Sequence, residues 1–450
     1  MDLEGMEVLV LGLGMSGRSA VRFCAERGAR VTGADERAPG EPSAMAELED
    51  LGTAVRLLQG QPFPNPADFD LTVPSPGVPP ARYREDARRV WGDIELAGRA
   101  LSIPIIAVTG TNGKSTTVRL IEAMLRAGGL RAEAAGNVGT PALSLPGKPL
   151  DAAVLEVSSF QLETIESFRP KVAVVLNITP DHLDRHGDLA GYAGAKRRIL
   201  ENQQPGDVAV LDVDNDCVRD FWPHAPGEVI PFSRRSPASG NASGRTAWLD
   251  AGVAVFADGH SLRRVPLDSA PGLPAHDKDN VLAALTAVWA LGVEPEQASQ
   301  ALAGFRALPH RCETVATRNG VTWVNDSKAT NPGAAERAIQ GIEAPIVWIA
   351  GGRGKDLSYT SLAEVARKRV KLALLIGESA DELERALAAK VNCQRCGTLE
   401  DAVSAAANAS EPGDVILLAP ACASFDQFDS FEHRGECFRE AVRRLEGGRQ

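Results

Sequence analysis

The sequence predicts an α/β protein of three domains, each built on an open, mostly parallel sheet. Three observations carry that reading. Short apolar, β-branched runs alternate with helical patterns along the chain, as βαβ units require. Two glycine-rich turns, beginning at Gly12 and Gly110, each stand between such a run and an amphipathic helix. In the last third, three polar loops follow directly on strands, the edge at which open α/β sheets bind ligands.

A chain of 450 residues has room for two to four domains and an ample core. Hydrophobic residues make up 44% and charged residues 24%, the composition of an ordinary globular protein. The net charge of −11 argues against nucleic acid or an anionic membrane as partner. It leaves anionic small molecules open, because these need only local cations. The opening MDLEGMEVLV has no basic n-region, so no signal peptide is expected. No apolar run is long enough for a membrane span, and residues 281–293 read as a core helix. The seven cysteines are scattered and odd in number, which suits a reducing cytoplasm. Cys393 and Cys396 have a suggestive spacing but no second ligand pair, so they read as ordinary thiols rather than a zinc site.

The first domain is expected over residues 1–91. Residues 7–11 form a strand, and Gly12-Leu13-Gly14-Met15-Ser16-Gly17 completes a G-x-G-x-x-G. A helix follows to about Gly28, then a strand over 30–34 that ends at Asp35. This is a full dinucleotide fingerprint, acid included, and the domain is Rossmann-like. Alone it suggests a nicotinamide-dependent oxidoreductase. The physics promises less: a diphosphate on a helix N-terminus and an acid near a ribose or base. A UDP group satisfies that as well as NAD does. A strand over 71–73 then leads into Pro74-Ser75-Pro76-Gly77-Val78-Pro79-Pro80, a rigid loop facing the ligand edge.

The second domain is expected over 92–307. Ile105-Ile106-Ala107-Val108-Thr109 reads as a buried strand. Gly110-Thr111-Asn112-Gly113-Lys114-Ser115-Thr116 follows and opens an amphipathic helix. Backbone N–H groups at such a turn cradle phosphate, Lys114 adds a point charge, and a Ser or Thr hydroxyl faces Mg²⁺. Val108 stands where the usual pattern has glycine, but strand, turn, lysine, hydroxyls and helix come in order. The domain is therefore P-loop ATPase-like. Glu156, at the end of a strand over 152–157, stands where a Mg²⁺ ligand would be. After a strand over 172–177, Asp181, His182, Asp184 and His186 crowd one loop. His182 could ligate a second metal or position a substrate. Lys196 reads, by default, as a helix-surface lysine. Residues 228–268 look like a small β excursion, followed by helices over 279–291 and 295–305.

The third domain, 308–450, shows strands over 321–325, 346–350, 372–376 and 415–419 with helices between them, again Rossmann-like. Its strand ends carry Asn325-Asp326-Ser327-Lys328-Ala329-Thr330-Asn331-Pro332, Gly351-Gly352-Arg353-Gly354-Lys355, and the run from Pro420 to Phe428. Lysines there suit carboxylate and phosphate ligands.

Taken together, TGTNGKST, GNVG (136–139), LEVSSFQLE, TPDHLDRH, LPHR (308–311), NDSKATNP, GGRGK and PACASFDQFDSFEHRG (420–435) resemble the Mur ligase family, in order and across nearly the whole chain. The resemblance implies an ATP-dependent amide ligase that adds D-glutamate to UDP-N-acetylmuramoyl-L-alanine through an acyl phosphate, in peptidoglycan precursor synthesis. It implies that the first domain binds the UDP-sugar through Ser16, Asp35 and Arg37, with Ser75 and Gly77 at its edge and Asn137 on the sugar-peptide. ATP falls to Gly110, Thr111, Asn112, Gly113, Lys114, Ser115 and Thr116, with Asn280, Arg311, Asp326 and Lys328. Two Mg²⁺ ions fall to Ser115, Glu156, His182 and a carbamylated Lys196. D-Glutamate falls to Thr330, Lys355, Ser424 and Phe431. Lys114, Glu156, His182, Lys196 and Lys355 are the implied catalytic set. Glu36 and Asp277 stand where the family commonly has a small hydroxyl residue and an asparagine. A cytoplasmic monomer is expected.

Overall fold

The computed structural model describes residues 1–37, 48–137, 139–236, 244–267, 277–306, 308–354, 357–388 and 390–445. Among them the strands form three sheets, of four, nine and six strands. The α/β class expected from the alternating pattern is what forms.

The first sheet holds β1 (Glu7–Leu11), β2 (Arg30–Asp35), β3 (Val55–Gln59) and β4 (Leu71–Pro74). The order is β3-β2-β1-β4 and every pairing is parallel. The order reverses at β1, and the G-x-G-x-x-G turn leaves β1 at that switch point. Gly12 has φ +81°, and a Cβ on Gly17 would lie 1.8 Å from Gly12 O. The helix Met15–Ala25 can start against the turn only because both are glycine.

The second sheet holds β5 (Ile105–Thr109), β6 (Ala132–Gly136), β7 (Ala152–Glu156), β8 (Val172–Val175), β9 (Val208–Asp212), β10 (Glu228–Ser233), β11 (Thr246–Asp250), β12 (Val253–Ala257) and β13 (Leu262–Pro266). Its order is β13-β12-β11-β10-β9-β8-β5-β7-β6. β5, β7 and β8 are buried along their whole length, as strands covered on both faces must be, and they read as unbroken apolar runs for that reason. The short strands expected over 228–268 form, but as part of the main sheet rather than apart from it. β10 pairs in parallel with β9, and β11 to β13 continue the same sheet, the last two pairings antiparallel. Arg263 and Arg264 on β13 put charge on the outermost strand.

The third sheet holds β14 (Glu313–Arg318), β15 (Val321–Asn325), β16 (Ile346–Gly351), β17 (Val370–Ile376), β18 (Cys393–Gly397) and β19 (Val415–Leu418), in the order β14-β15-β19-β16-β17-β18. Only the β14 pairing is antiparallel. β18 carries Cys393 and Cys396, and all seven cysteines are free.

By contact, the described residues gather into two compact units: residues 1–178, 190–267 and 280–304 in one, and 179–189, 277–279 and 305–445 in the other. The expected junction at Gly92 lies inside the first. There Glu95, fully buried on the helix Asp93–Ala100, accepts the backbone N–H groups of Glu166, Ser167 and Phe168 at 2.9, 3.0 and 2.8 Å. Burial alone would push this carboxyl up. The hydrogen bonds from Ser167, Glu166 and Phe168 outweigh it and hold the group below its ordinary value.

Candidate active site

In the first unit, β5 ends at Thr109 and the chain turns through Gly110 (φ +150°) and Gly113 (φ +88°) into the helix Lys114–Ala127. Both glycines are required. A Cβ on Gly110 would lie 3.0 Å from Leu176 Cβ, and one on Gly113 would lie 2.3 Å from Asn280 Oδ1. Asn177 pins the turn: its carbonyl accepts Thr111 N–H at 2.7 Å, its Oδ1 accepts Asn112 N–H at 3.0 Å, and its Nδ2 donates to Asn112 O at 3.0 Å. Lys114 Nζ donates to Gly110 O (2.8 Å) and Thr111 O (2.9 Å).

Ser115 Oγ, in the first turn of that helix, donates to Glu156 Oε2 at 2.5 Å, and Asn137 Nδ2 donates to Glu156 Oε1 at 3.1 Å. Glu156 is 3% exposed at the end of β7. Gly136 (φ +122°) lets β6 approach it, since a Cβ there would lie 2.2 Å from Glu156 O. Both hydrogen-bond partners of this buried carboxylate are neutral, and its own oxygens and Ser115 Oγ are hard donors. That set fits Mg²⁺. Among the described residues no group of three or more His, Cys, Asp and Glu is gathered for a metal.

Lys196 overturns its default reading. It is 1% exposed on the helix Leu189–Arg197, its Nζ lies 4.7 Å over the Tyr192 ring, and it donates to Gly110 O at 2.8 Å. A helix-surface pattern cannot distinguish a lysine that turns inward to a neighbouring loop.

At the edge of the first sheet, Ser75 Oγ donates to Gly12 O at 2.8 Å, and Asp35 Oδ2 accepts Leu13 N–H at 2.8 Å. The Arg37 guanidinium grips both oxygens of Asp35, at 3.0 and 2.8 Å, and holds that carboxyl down at about 2. Glu36 pairs with Arg82, and Gly77 is exposed in the loop after β4. Sequence reasoning missed Asp93. Burial pushes its carboxyl up, while Gln161 Nε2 at 3.0 and 3.1 Å and the Ser16 hydroxyl favour the ion. It thereby links Ser16 to the helix Ser159–Leu162 that follows β7. Its only signal was its place in Gly92-Asp93-Ile94-Glu95-Leu96, at the expected start of the second domain.

In the second unit the strand ends gather around one buried arginine. Arg434, 1% exposed on the helix Phe431–Arg444, donates to Ser327 Oγ (3.0 Å), Ser327 O (2.9 Å), Cys422 O (3.2 Å) and Ala423 O (3.3 Å). Burial lowers its pKa to about 10. Ala423 also exchanges backbone hydrogen bonds with Arg353, at 2.9 and 3.0 Å, so the loops after β15, β16 and β19 are fastened together. Gly352 (φ +133°) permits this, because a Cβ there would lie 2.2 Å from Ala423 O. Ser424 is buried in that cluster and Thr330 half-buried. Lys328 Nζ stands 3.7 Å over the Phe431 ring, joining two expected site residues. Burial raises Asp326 to about 6 despite the nearby Arg311 guanidinium, with Cys312 N–H donating at 3.3 Å and Asp277 adding a like charge. His182, with φ +53°, belongs to the same unit. Lys355 lies outside the described residues.

Comparison with known proteins matches this layout. Residues 108–288 match the Mur ligase middle domain, and residues 310–422 match the Mur ligase glutamate ligase domain. A UDP-N-acetylmuramoylalanine--D-glutamate ligase from Pelotomaculum thermopropionicum is 42% identical, over 99% of both chains. The chain belongs to the Mur ligase family. A relative of the same name from Anaeromyxobacter dehalogenans is 43% identical over 97% of each chain. Among solved structures, the Mur ligase fold recurs in a MurF ligase from Thermotoga maritima in complex with ADP, with TM-score 0.61, 19% identity and coverage of 98% of this chain and 96% of that one. A pseudomurein peptide ligase type C from Methanothermus fervidus also gives 0.61, at 17% identity, over 98% and 100%. Among the described residues no helix is long and apolar enough to cross a membrane.

Proposed function

We propose that this Mur ligase joins D-glutamate to UDP-N-acetylmuramoyl-L-alanine at the expense of ATP, in peptidoglycan precursor synthesis. The observation that carries the reading is a phosphate-cradling turn whose Ser115 shares Glu156 with Asn137, while buried Lys196 reaches the same turn. The full-length relatives named for that reaction support the substrate assignment.

On this reading residues 1–91 bind the uridine diphosphate, residues 92–307 bind ATP and metal, and residues 308–450 bind the amino acid. The alanyl carboxylate attacks the γ-phosphorus of ATP, and ADP leaves with the bonding pair. The D-glutamate amine, as the free base, then attacks the acyl carbon, the tetrahedral intermediate gives up a proton to solvent and collapses, and phosphate departs with the C–O bonding pair. A free carboxylate is a poor acyl donor, and phosphorylation gives it a leaving group. Lys114 exchanges the carbonyls of Gly110 and Thr111 for β- and γ-phosphate oxygens. Ser115 and Glu156 would hold one Mg²⁺, which would supply charge neutralisation for the phosphates. Lys196, as its carbamate, would serve the second. Carbamylation of the buried amine replaces a cation with a carboxylate-like anion. The backbone N–H groups of the Gly110–Gly113 turn orient the phosphates, and Asn177 keeps that turn in shape. Thr330, Lys355, Ser424 and Phe431 orient D-glutamate.

The test incubates the protein with ATP, Mg²⁺, the UDP-sugar-alanine and either enantiomer of glutamate, and reads phosphate release. Release with D-glutamate and not L-glutamate is expected. Equal release with both, or none, overturns the assignment. The Gly12 fingerprint taken alone allows a nicotinamide-dependent oxidoreductase, which a tight NADH complex would favour.

A further inference from the structure

We propose that Asn331 is a positioning residue that fastens the His182 loop to the turn carrying Thr330, through a hydrogen bond to Asp181. Both segments belong to the second unit. Asn331 is 4% exposed and uses its amide in two directions. Its Oδ1 accepts Ala334 N–H at 2.8 Å and caps the helix Pro332–Gln340. Its Nδ2 donates to Asp181 Oδ2 at 3.1 Å, across 150 residues of chain. Asp181 is 5% exposed, and its other oxygen accepts the backbone N–H of His182 at 3.0 Å. His182 is left-handed, at φ 53° and ψ 34°. A non-glycine residue holds that conformation only where its surroundings over-determine it. The Asn331–Asp181–His182 chain of bonds does so.

A second contact fits the same purpose. A Cβ built on Gly333 would lie 3.3 Å from Thr179 Oγ1, so a bare Cα there lets the 179–181 segment lie against the helix start. Side-chain chemistry at position 331 is correspondingly narrow. Aspartate would cap the helix but offer no donor to Asp181, and serine would cap it but is too short. Thr330, next in the chain, is one of the residues read above as contacting D-glutamate. The His182 loop and the amino-acid turn are thus parts of one hydrogen-bonded piece. That consequence rests on the proposed function, whereas the fastening does not.

The experiment measures hydrogen–deuterium exchange of peptides covering residues 179–189 in the full-length, ligand-free protein. Asn331→Asp keeps the cap and sets two carboxylates face to face. Asp181→Asn keeps the acceptor for His182 and sets two amides face to face. Each single change is expected to speed exchange in 179–189 roughly tenfold, the scale of losing a charge-assisted hydrogen bond. Peptides from β16 stay unchanged. The double variant Asn331→Asp with Asp181→Asn exchanges donor for acceptor and is expected to restore slow exchange. The KM for D-glutamate should rise and recover in parallel, with kcat changing less. Unchanged exchange in both single variants, or a double variant no better than either, overturns the proposal. Restored exchange in a protein that never turns over D-glutamate would leave the fastening standing and sink the functional reading.

Discussion

Lys114 and Lys196 donate to the same atom. Each ammonium lies 2.8 Å from the carbonyl oxygen of Gly110. Two cations on one neutral oxygen is an arrangement that an anion, or the conversion of one cation to an anion, relieves. Lys114→Ala should therefore abolish ADP release while leaving the fold intact, with activity down at least ~10³-fold. Lys196→Ala should lose activity comparably but regain part of it when short-chain carboxylates are added. Coupled ADP assays with and without formate or acetate decide, and full activity without rescue removes the carbamate from the account.

Gly113→Ala should act on nucleotide binding rather than on the fold as a whole. The substitution puts a Cβ into a left-handed residue and 2.3 Å from Asn280 Oδ1. The strain costs ~1–2 kcal/mol and Asn280 must move. We expect the KM for ATP to rise more than ~10-fold with a thermal midpoint lowered by only a few degrees. An ATP titration beside a melting curve checks both.

Asp326 gives the stability a pH slope of known sign. Burial raises its pKa from 3.8 to about 6, so between those values the native state holds more protons than the unfolded chain. Stability must then fall as pH rises from about 4 to about 6, by up to ~3 kcal/mol in total. Asp326→Asn should remove this contribution. Urea midpoints at pH 4, 5 and 7 test it, and identical slopes in the two proteins would contradict the assignment.

Arg434→Lys should be far from conservative. Four acceptors on two loops share one planar fork of donors, and an ammonium cannot reach them all. Leaving buried carbonyls unpaired should cost ~2–4 kcal/mol. The KM for D-glutamate should rise, because Ser424 adjoins Ala423, whose carbonyl loses one of its two donors. Denaturant curves and glutamate titrations measure the two effects.

Most of the architecture could be read from the chain because its central strands are covered on both faces. β5, β7 and β8 appear as unbroken apolar runs, and the Gly110 turn follows the first of them. The edge strands β3, β14 and β18 were missed because half-exposed sequences such as ETVATR and CQRCG alternate too weakly against their turns. The site residues that hold others were hidden for a different reason. Asp93, Asn177 and Arg434 bond Gln161, Asn112 and Ser327, which lie 68, 65 and 107 residues away, and a polar residue reads as surface until the fold closes over it. Lys196 was legible only through the family resemblance, since nothing local marks the inward turn of its side chain.

The second unit draws on three stretches of chain: residues 179–189 and 277–279 as well as 305–445. During synthesis the earliest of these leaves the ribosome long before the sheet it joins has been made. Asp181 must wait, without Asn331, until the last third emerges. A fragment begun at residue 308 would lack that piece permanently, so expressed alone it should be a poorer folder than its six-stranded sheet suggests.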